Sequence, residues 1–275
     1  MSHANTPATV TGWDCHAHLF GPYARFPLAA DRSYTPPEAI ETQYQALLAR
    51  LGLAHGVLVH PSAYGKDHSL LLHALDTYPN LRGVVVVQPG DALALNDLYA
   101  RSVRGARFSH RSVAGNFAGS ASFDDLRTLG PALAEAGLHA ELWTDCKALP
   151  GIASELKALP VPVVIDHMGG FDVNAGVDEP GFRTLLDLLA HGKFWVKLCA
   201  YRNLLNAPDW EVGRVFQQKM MEANPERLIW GSDWPHLNVK PVPDAAQLLA
   251  LFKDWAGSDA LVRQMLVTNP EALYR

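Results

Sequence analysis

Val161-Pro162-Val163-Val164-Ile165-Asp166-His167-Met168-Gly169 is a nearly unbroken β-branched run that stops in residues a catalytic site can use. A strand apolar on both faces suits a parallel sheet covered by helices. Gly83-Val84-Val85-Val86-Val87 reads the same way. Working outward, strand patterns fall at 8–18, 55–61, 82–89, 104–110, 138–145, 161–168, 194–201 and 228–233. Segments of helical period separate them at 36–52, 67–78, 91–103, 122–136, 147–158, 181–191, 209–223 and 243–256. This alternation predicts an α/β chain folded as a (β/α)8 TIM barrel, one domain over residues 1–275. The alternative is an open doubly wound sheet, which lacks the support of any Gly-rich dinucleotide fingerprint.

The first helix has a start signal, with Thr35 as N-cap, Pro36 at the first helical position and Glu38 completing a capping box; Gly52 lies near its end. The loop from Phe20 to Thr35 carries Arg25, Arg32 and Tyr34. In a barrel it follows strand 1 at the catalytic face, where it is placed to close over the site.

Composition narrows the function. Net charge is -5 with no basic cluster, which argues against nucleic acid as a partner. No apolar run approaches a membrane span, and Met1-Ser2-His3-Ala4-Asn5-Thr6-Pro7 has no leader pattern, so a cytoplasmic protein is expected. Cys15, Cys146 and Cys199 are far apart and in no CxxC arrangement, against a disulfide framework or a thiolate zinc site.

Barrel chemistry gathers at the C-terminal ends of strands. Strand 1 ends in Asp14-Cys15-His16-Ala17-His18, whose histidines at i and i+2 share a face of an extended strand. Later strand ends bring His60-Pro61, Gln88, Arg107-Phe108-Ser109, Trp143 with Asp145, Asp166-His167, Tyr201-Arg202 and Gly231-Ser232-Asp233-Trp234-Pro235-His236. His60, followed by proline, reads more simply as a loop residue with one hydrogen bond. Asp233, beside a tryptophan, would be costly to desolvate without a task. Arg107 and Arg202, facing the barrel mouth, would bind an anionic small molecule through planar guanidinium forks. Tyr34, Trp143, Ser109 and His236 complete the candidate substrate-binding set. Cys15 and Ala17 are expected to point away from His16 and His18, with Cys15 as packing.

These residues resemble the amidohydrolase superfamily, in its branch of 2-pyrone-4,6-dicarboxylate lactonase and related sugar-lactone hydrolases. The resemblance rests on Asp14-Cys-His-Ala-His-Leu-Phe-Gly-Pro22, Tyr34-Thr-Pro36, Arg104-Gly-Ala-Arg-Phe108, Asp166-His-Met-Gly169, Lys197-Leu198 with Tyr201-Arg202, Gly231-Ser-Asp-Trp-Pro-His236, and Asn269-Pro270 with Leu273-Tyr274. It implies a barrel that hydrolyses a lactone, with a place in aromatic or sugar-acid catabolism. By position, it implies Asp233 as the general base that takes a proton from water, with His16, His18 and His167 orienting or polarising the carbonyl. The branch would place further arginines where this chain holds Val113 and Gly170, with Arg111 near enough to replace the first. A substrate with fewer carboxylates, or a sugar lactone, is then as plausible as a pyrone dicarboxylate.

In many members of the superfamily the HxH pair binds metal. Here His16, His18, His167 and Asp233 are the alternative ligands for one zinc or manganese ion. Trp143 stands where a metal-dependent relative commonly presents a histidine, and the branch resembled works without metal, so no cofactor is expected. The competing readings are a zinc-dependent decarboxylase or hydrolase of the same superfamily, as in the aminocarboxymuconate semialdehyde decarboxylase group, and a barrel that only binds an anionic molecule. Association into a homo-oligomer is left open.

Overall fold

The apolar runs become eight parallel strands in the order β1 to β8. The structure, a computed structural model, describes residues 11–275 apart from 92–93, 114–117 and 208. The strands are β1 (Trp13–Ala17), β2 (His55–Val59), β3 (Leu81–Val85), β4 (Val103–His110), β5 (His139–Thr144), β6 (Val163–Ile165), β7 (Phe194–Leu198) and β8 (Leu228–Trp230). Between them run α1 (Glu41–Leu51), α2 (Ser69–Thr77), α3 (Leu95–Ala100), α4 (Phe123–Glu135), α5 (Leu149–Ala158), α6 (Pro180–Ala190) and α7 (Arg214–Ala223). After β8 come α8 (Ala245–Ala256), α9 (Asp259–Arg263) and α10 (Asn269–Tyr274). Each expected strand is present; β3 and β4 begin one residue earlier than expected, β4 reaches its expected end, and every strand except β4 is shorter than expected. The expected residues 8–10 of the first strand and the leader reading of residues 1–7 lie outside the described residues. No helix among the described residues is long and apolar enough to cross a membrane.

The ring is completed at the tips of β1 and β8. Asp233 N donates to His16 O and His18 N donates to Trp234 O, both at 2.8 Å, beside a parallel Ala17–Trp234 bridge. The two sequence-distant motifs HxH and SDWPH are thereby fixed in register.

The first helix begins later than its sequence signal. Ala39 is held extended by a two-way bridge to Phe20, with N–O distances of 2.7 and 2.8 Å, and Glu38 accepts from Tyr23 N at 2.6 Å. Thr35 Oγ1 accepts from Arg32 Nε at 2.9 Å, so both side chains of the expected capping box, Thr35 and Glu38, are taken by the loop after β1. The helix therefore starts at Glu41, where Gln43 Oε1 accepts from Ile40 N at 3.0 Å, and it ends at Gly52 in the left-handed region, φ 69°.

Trp13, Cys15, Val57, Val59, Val84, Val164, Trp195, Ile229 and Tyr274 form one buried cluster. Residues from six strands around the ring meet this way only inside the barrel. Each fully buried valine there contributes about 1.5–3 kcal/mol. Cys15 is packing, as expected, but it packs inside the ring. The β1–β2 register shifts between Asp14 and Ala17, so strict alternation fails at the residues before the HxH pair. Tyr274 of α10 closes the N-terminal end of the barrel, stacked on Trp13 at 5.9 Å and donating to Glu141 Oε1 at 3.3 Å.

Asp14 ties β1 to the segment after β8 and to α1. Its carboxylate accepts from Ser232 N at 2.7 Å, Ser232 Oγ at 2.6 Å and Tyr44 Oη at 3.2 Å. Burial raises its pKa from 3.8 to about 6, despite these bonds. The folded state thus keeps a proton that the unfolded chain has lost, and the Asp14 contribution to stability declines as pH rises from about 4 to about 6. Asp14→Asn lacks this titration. Urea denaturation at pH 4 and pH 7 is expected to show the stability of the parent falling relative to the variant by roughly 2–3 kcal/mol over that interval; a constant difference contradicts the assignment.

Candidate active site

The C-terminal mouth of the barrel holds a cavity of about 160 Å3. His18, Tyr34, Arg107, Ser109, Trp143, His167, Arg202 and Asp233 line it, all of them candidates from the sequence. His16 lies beneath its floor, fully buried. His236 stands beside the cavity, its ring edge-on to Tyr201 at 5.3 Å. His60 does reach the wall, where it makes the single hydrogen bond to Gly65 O at 2.9 Å that its bland reading anticipated. Ser62, Ser120 and Asn238 also line the cavity and carried no sequence signal beyond their loop positions.

Local backbone geometry aims the polar groups. After β6 the chain makes a left-handed turn through His167, Met168, Gly169 and Gly170, at φ 50°, 55°, 64° and 53°. Asp233 (φ 58°) and His236 (φ 62°) share that conformation, which costs a non-glycine residue of order 1–3 kcal/mol and is retained where surrounding contacts over-determine it. Gly231 serves the same end. A Cβ there would stand 2.6 Å from His16 Cβ, so only glycine lets β8 approach β1 this closely.

Asp233 is the centre of the floor. Its Oδ2 accepts from Tyr201 Oη at 2.7 Å and from Arg202 Nε, while His167 Nε2 lies 3.7 Å away. Its Oδ1 makes no hydrogen bond among the described residues and faces His18 Nε2 at 3.5 Å and His16 Nε2 at 3.7 Å. Burial opposes its charge, but Arg202 and the two imidazoles of His167 and His18 outweigh burial and hold the carboxyl well below its usual range. The carboxylate is thus ionised, with Oδ2 anchored and Oδ1 left without a hydrogen bond among the described residues. His18 Nδ1 lies 2.7 Å from Val59 O, which accepts its proton and leaves Nε2 bare toward the centre.

Beneath the floor lies a buried charge network that the sequence reading did not assign. Lys197 of β7 meets Glu141 of β5 at 2.7 Å and Asp166 at 3.4 Å, and Asp166 also pairs with Arg107 at 2.9 Å. The available signal was a charge inside a largely apolar strand, Glu141 in His139-Ala-Glu-Leu-Trp-Thr144 and Lys197 in Phe194-Trp-Val-Lys-Leu198, which is costly to bury unless paired. Above the floor, Trp143 lies under two guanidinium groups, Arg107 at 5.4 Å and Arg111 at 4.7 Å from the ring centre. The loop after β1 is tied over this mouth by Ala29 N to Ala63 O at 2.9 Å and supplies Tyr34 to the wall.

For a metal ion, ligand atoms of His16, His167 and Asp233 do converge within 4.8 Å, and His18 Nε2 is 3.3 Å from His16 Nε2. Two cations stand beside them. The Lys197 ammonium is 3.1 Å from His16 Nδ1, and Arg202 occupies Asp233 Oδ2, so the far atoms of two of the four candidate ligands are held while His16 Nε2 and Asp233 Oδ1 face the centre.

A family model described as amidohydrolase matches residues 13–275. The chain is 33% identical over 269 residues to 4-sulfomuconolactone hydrolase of Hydrogenophaga intermedia, with 95% of this chain and 88% of that one covered. It is 33% identical over 274 residues to 2-pyrone-4,6-dicarboxylate hydrolase of Comamonas testosteroni, covering 95% and 89%. A solved structure from Pseudomonas putida, described as a candidate 2-pyrone-4,6-dicarboxylic acid hydrolase, superposes with TM-score 0.82 at 32% identity, covering 96% of this chain and 97% of that one. The barrel, the HxH pair and the strand-8 aspartate thus sit within a match that spans nearly the whole sequence, and the chain belongs to the amidohydrolase family.

Proposed function

We propose that this protein is a metal-independent lactone hydrolase acting on a small lactone that carries a carboxylate or another anionic group. The observation that carries the reading is the Asp233 carboxylate, with one oxygen anchored by Tyr201 and Arg202 and the other directed into a cavity rimmed by cations. A water on Oδ1 gives up its proton there as its oxygen attacks the lactone carbonyl. The carbonyl oxygen becomes an oxyanion on the side of His16 and His167, with His18 Nε2 accepting a hydrogen bond from the attacking water, and the ring C–O bond then breaks as the proton held by Asp233 passes to the leaving oxygen, giving a hydroxy acid or its enol form. Arg107, Arg202 and Arg111 supply positive charge for the anionic substituent, and Tyr34, Ser109 and Trp143 shape the wall around it. The relatives named for a sulfonated lactone and a dicarboxylate lactone favour a substrate of that charge class, with a catabolic role. The three cysteines are free and buried, in keeping with the cytoplasmic expectation.

Electrostatics favours the metal-free form. The Lys197 ammonium, 3.1 Å from His16 Nδ1, and the Arg202 guanidinium on Asp233 Oδ2 already supply positive charge there, and a divalent ion would have to share the site with both.

Asp233→Asn is expected to stay folded and to lower kcat on the best substrate of a panel of carboxylated lactones by about 10²–10⁴-fold; activity within a few-fold of the parent removes Asp233 as the base. Arg107→Gln is expected to raise KM for a carboxylated lactone by about tenfold or more and to leave an uncharged lactone little affected, since a hydrogen bond to a charged group contributes about 1.5–3 kcal/mol. An equal effect on both substrates argues against anion binding. Elemental analysis of protein purified without chelators is expected to find less than about a tenth of an equivalent of transition metal, with activity surviving chelation. Close to one equivalent of zinc or manganese, lost together with activity, would instead support the decarboxylase or metallohydrolase reading with His16, His18, His167 and Asp233 as ligands.

A further inference from the structure

Lys197 lies inside the barrel, fully buried, directly below the HxH pair. An ammonium has three N–H donors and no acceptor. Around Nζ stand Glu141 Oε1 at 2.7 Å and His16 Nδ1 at 3.1 Å, with Asp166 Oδ1 in ion-pair contact at 3.4 Å. Two carboxylates within 3.4 Å of Nζ hold the side chain as a cation.

A cation at 3.1 Å from His16 Nδ1 can only donate to it. A proton on Nδ1, shared with Asp166 Oδ1 at 3.4 Å, would point into the field of the ammonium. A ring that accepts at Nδ1 is neutral and carries its single N–H on Nε2. That nitrogen faces the bare Nε2 of His18 at 3.3 Å and Asp233 Oδ1 at 3.7 Å. Of the two HxH rings, His16 therefore presents a proton to the reaction centre, while His18 presents a lone pair.

We propose that Lys197, anchored by Glu141 and Asp166, is a positioning residue that fixes His16 as the Nε2–H tautomer, making His16 the donor of the HxH pair to the oxyanion. The proposal rests on the lactone reading of the site for its catalytic consequence, but the tautomer belongs to the resting protein. It also divides two roles that the sequence left together, since His18 Nε2 then accepts a hydrogen bond from the attacking water and orients it while Asp233 takes the proton.

The test is NMR of the full chain carrying 15N-labelled histidine, with the His16 signals identified by their loss in His16→Gln. In the parent, His16 is expected to show an unprotonated Nδ1 and a protonated Nε2; a proton on Nδ1 overturns the proposal whatever any variant does. In Lys197→Met combined with Glu141→Gln, which removes the ammonium and the partner charge it would strand, the proton is expected to shift toward Nδ1, where Asp166 accepts it. On a lactone that the parent turns over, kcat of this variant is expected to fall by about 10²–10³-fold, as on loss of one oxyanion donor, with KM changed by less than about threefold. An unchanged tautomer, or an unchanged kcat in the folded variant, overturns the positioning role. Failure of the parent to hydrolyse any lactone would count against the proposed function and leave the tautomer measurement to decide its own question.

Discussion

The constraint on which the site depends is a lysine ammonium inside the barrel. Lys197 has no water to solvate it, and the structure answers with acceptors and an ion-pair partner drawn from β1, β5 and the end of β6. Asp166 then takes Arg107 as a second cation, and Glu141 takes Tyr274 from the helix that closes the other end of the barrel. A buried ion pair of this kind is weak evidence for stability, because desolvation consumes most of the Coulombic gain. Its value here is geometric: every strand that contributes a charge must stop at the depth that satisfies the others, and the histidines above inherit that register.

Chemistry and strain coincide at the rim of this network. His167, Met168, Asp233 and His236 hold left-handed backbone conformations at the ends of β6 and β8, where a strand must turn outward while its last side chain still points inward. The closely packed barrel beneath absorbs the cost. The resulting division is simple. The interior sets depth and protonation, the strand ends present imidazoles and a carboxylate, and the loops bring arginines and Tyr34 over them.

Much of this was legible in sequence because its signals are local. Period-two and β-branched runs located the eight strands, and the strand ends already held His16, His18, His167 and Asp233. The start of α1 differs from its sequence signal because of contacts made in the fold: Thr35 and Glu38 have the right chemistry for a capping box, but Arg32 and Tyr23 claim them, and Phe20 holds Ala39 extended. His236 likewise belongs to a promising motif, yet its ring packs on Tyr201 beside the cavity. Cys15 entered the barrel interior because a register shift in β1 breaks the alternation on which the expectation relied.

The sequence by itself determined the barrel, the identity of its catalytic-type residues and their gathering at one end, since hydrophobic period and strand-end position follow from the order of residues alone. Only the tertiary structure decided which of those residues touch. Glu141 and Lys197 are 56 positions apart and meet across the barrel, and nothing local marks either as the partner of the other. The protonation of His16 follows from that meeting, because a proton's place on an imidazole is set by whatever donor or acceptor the fold brings to its other nitrogen.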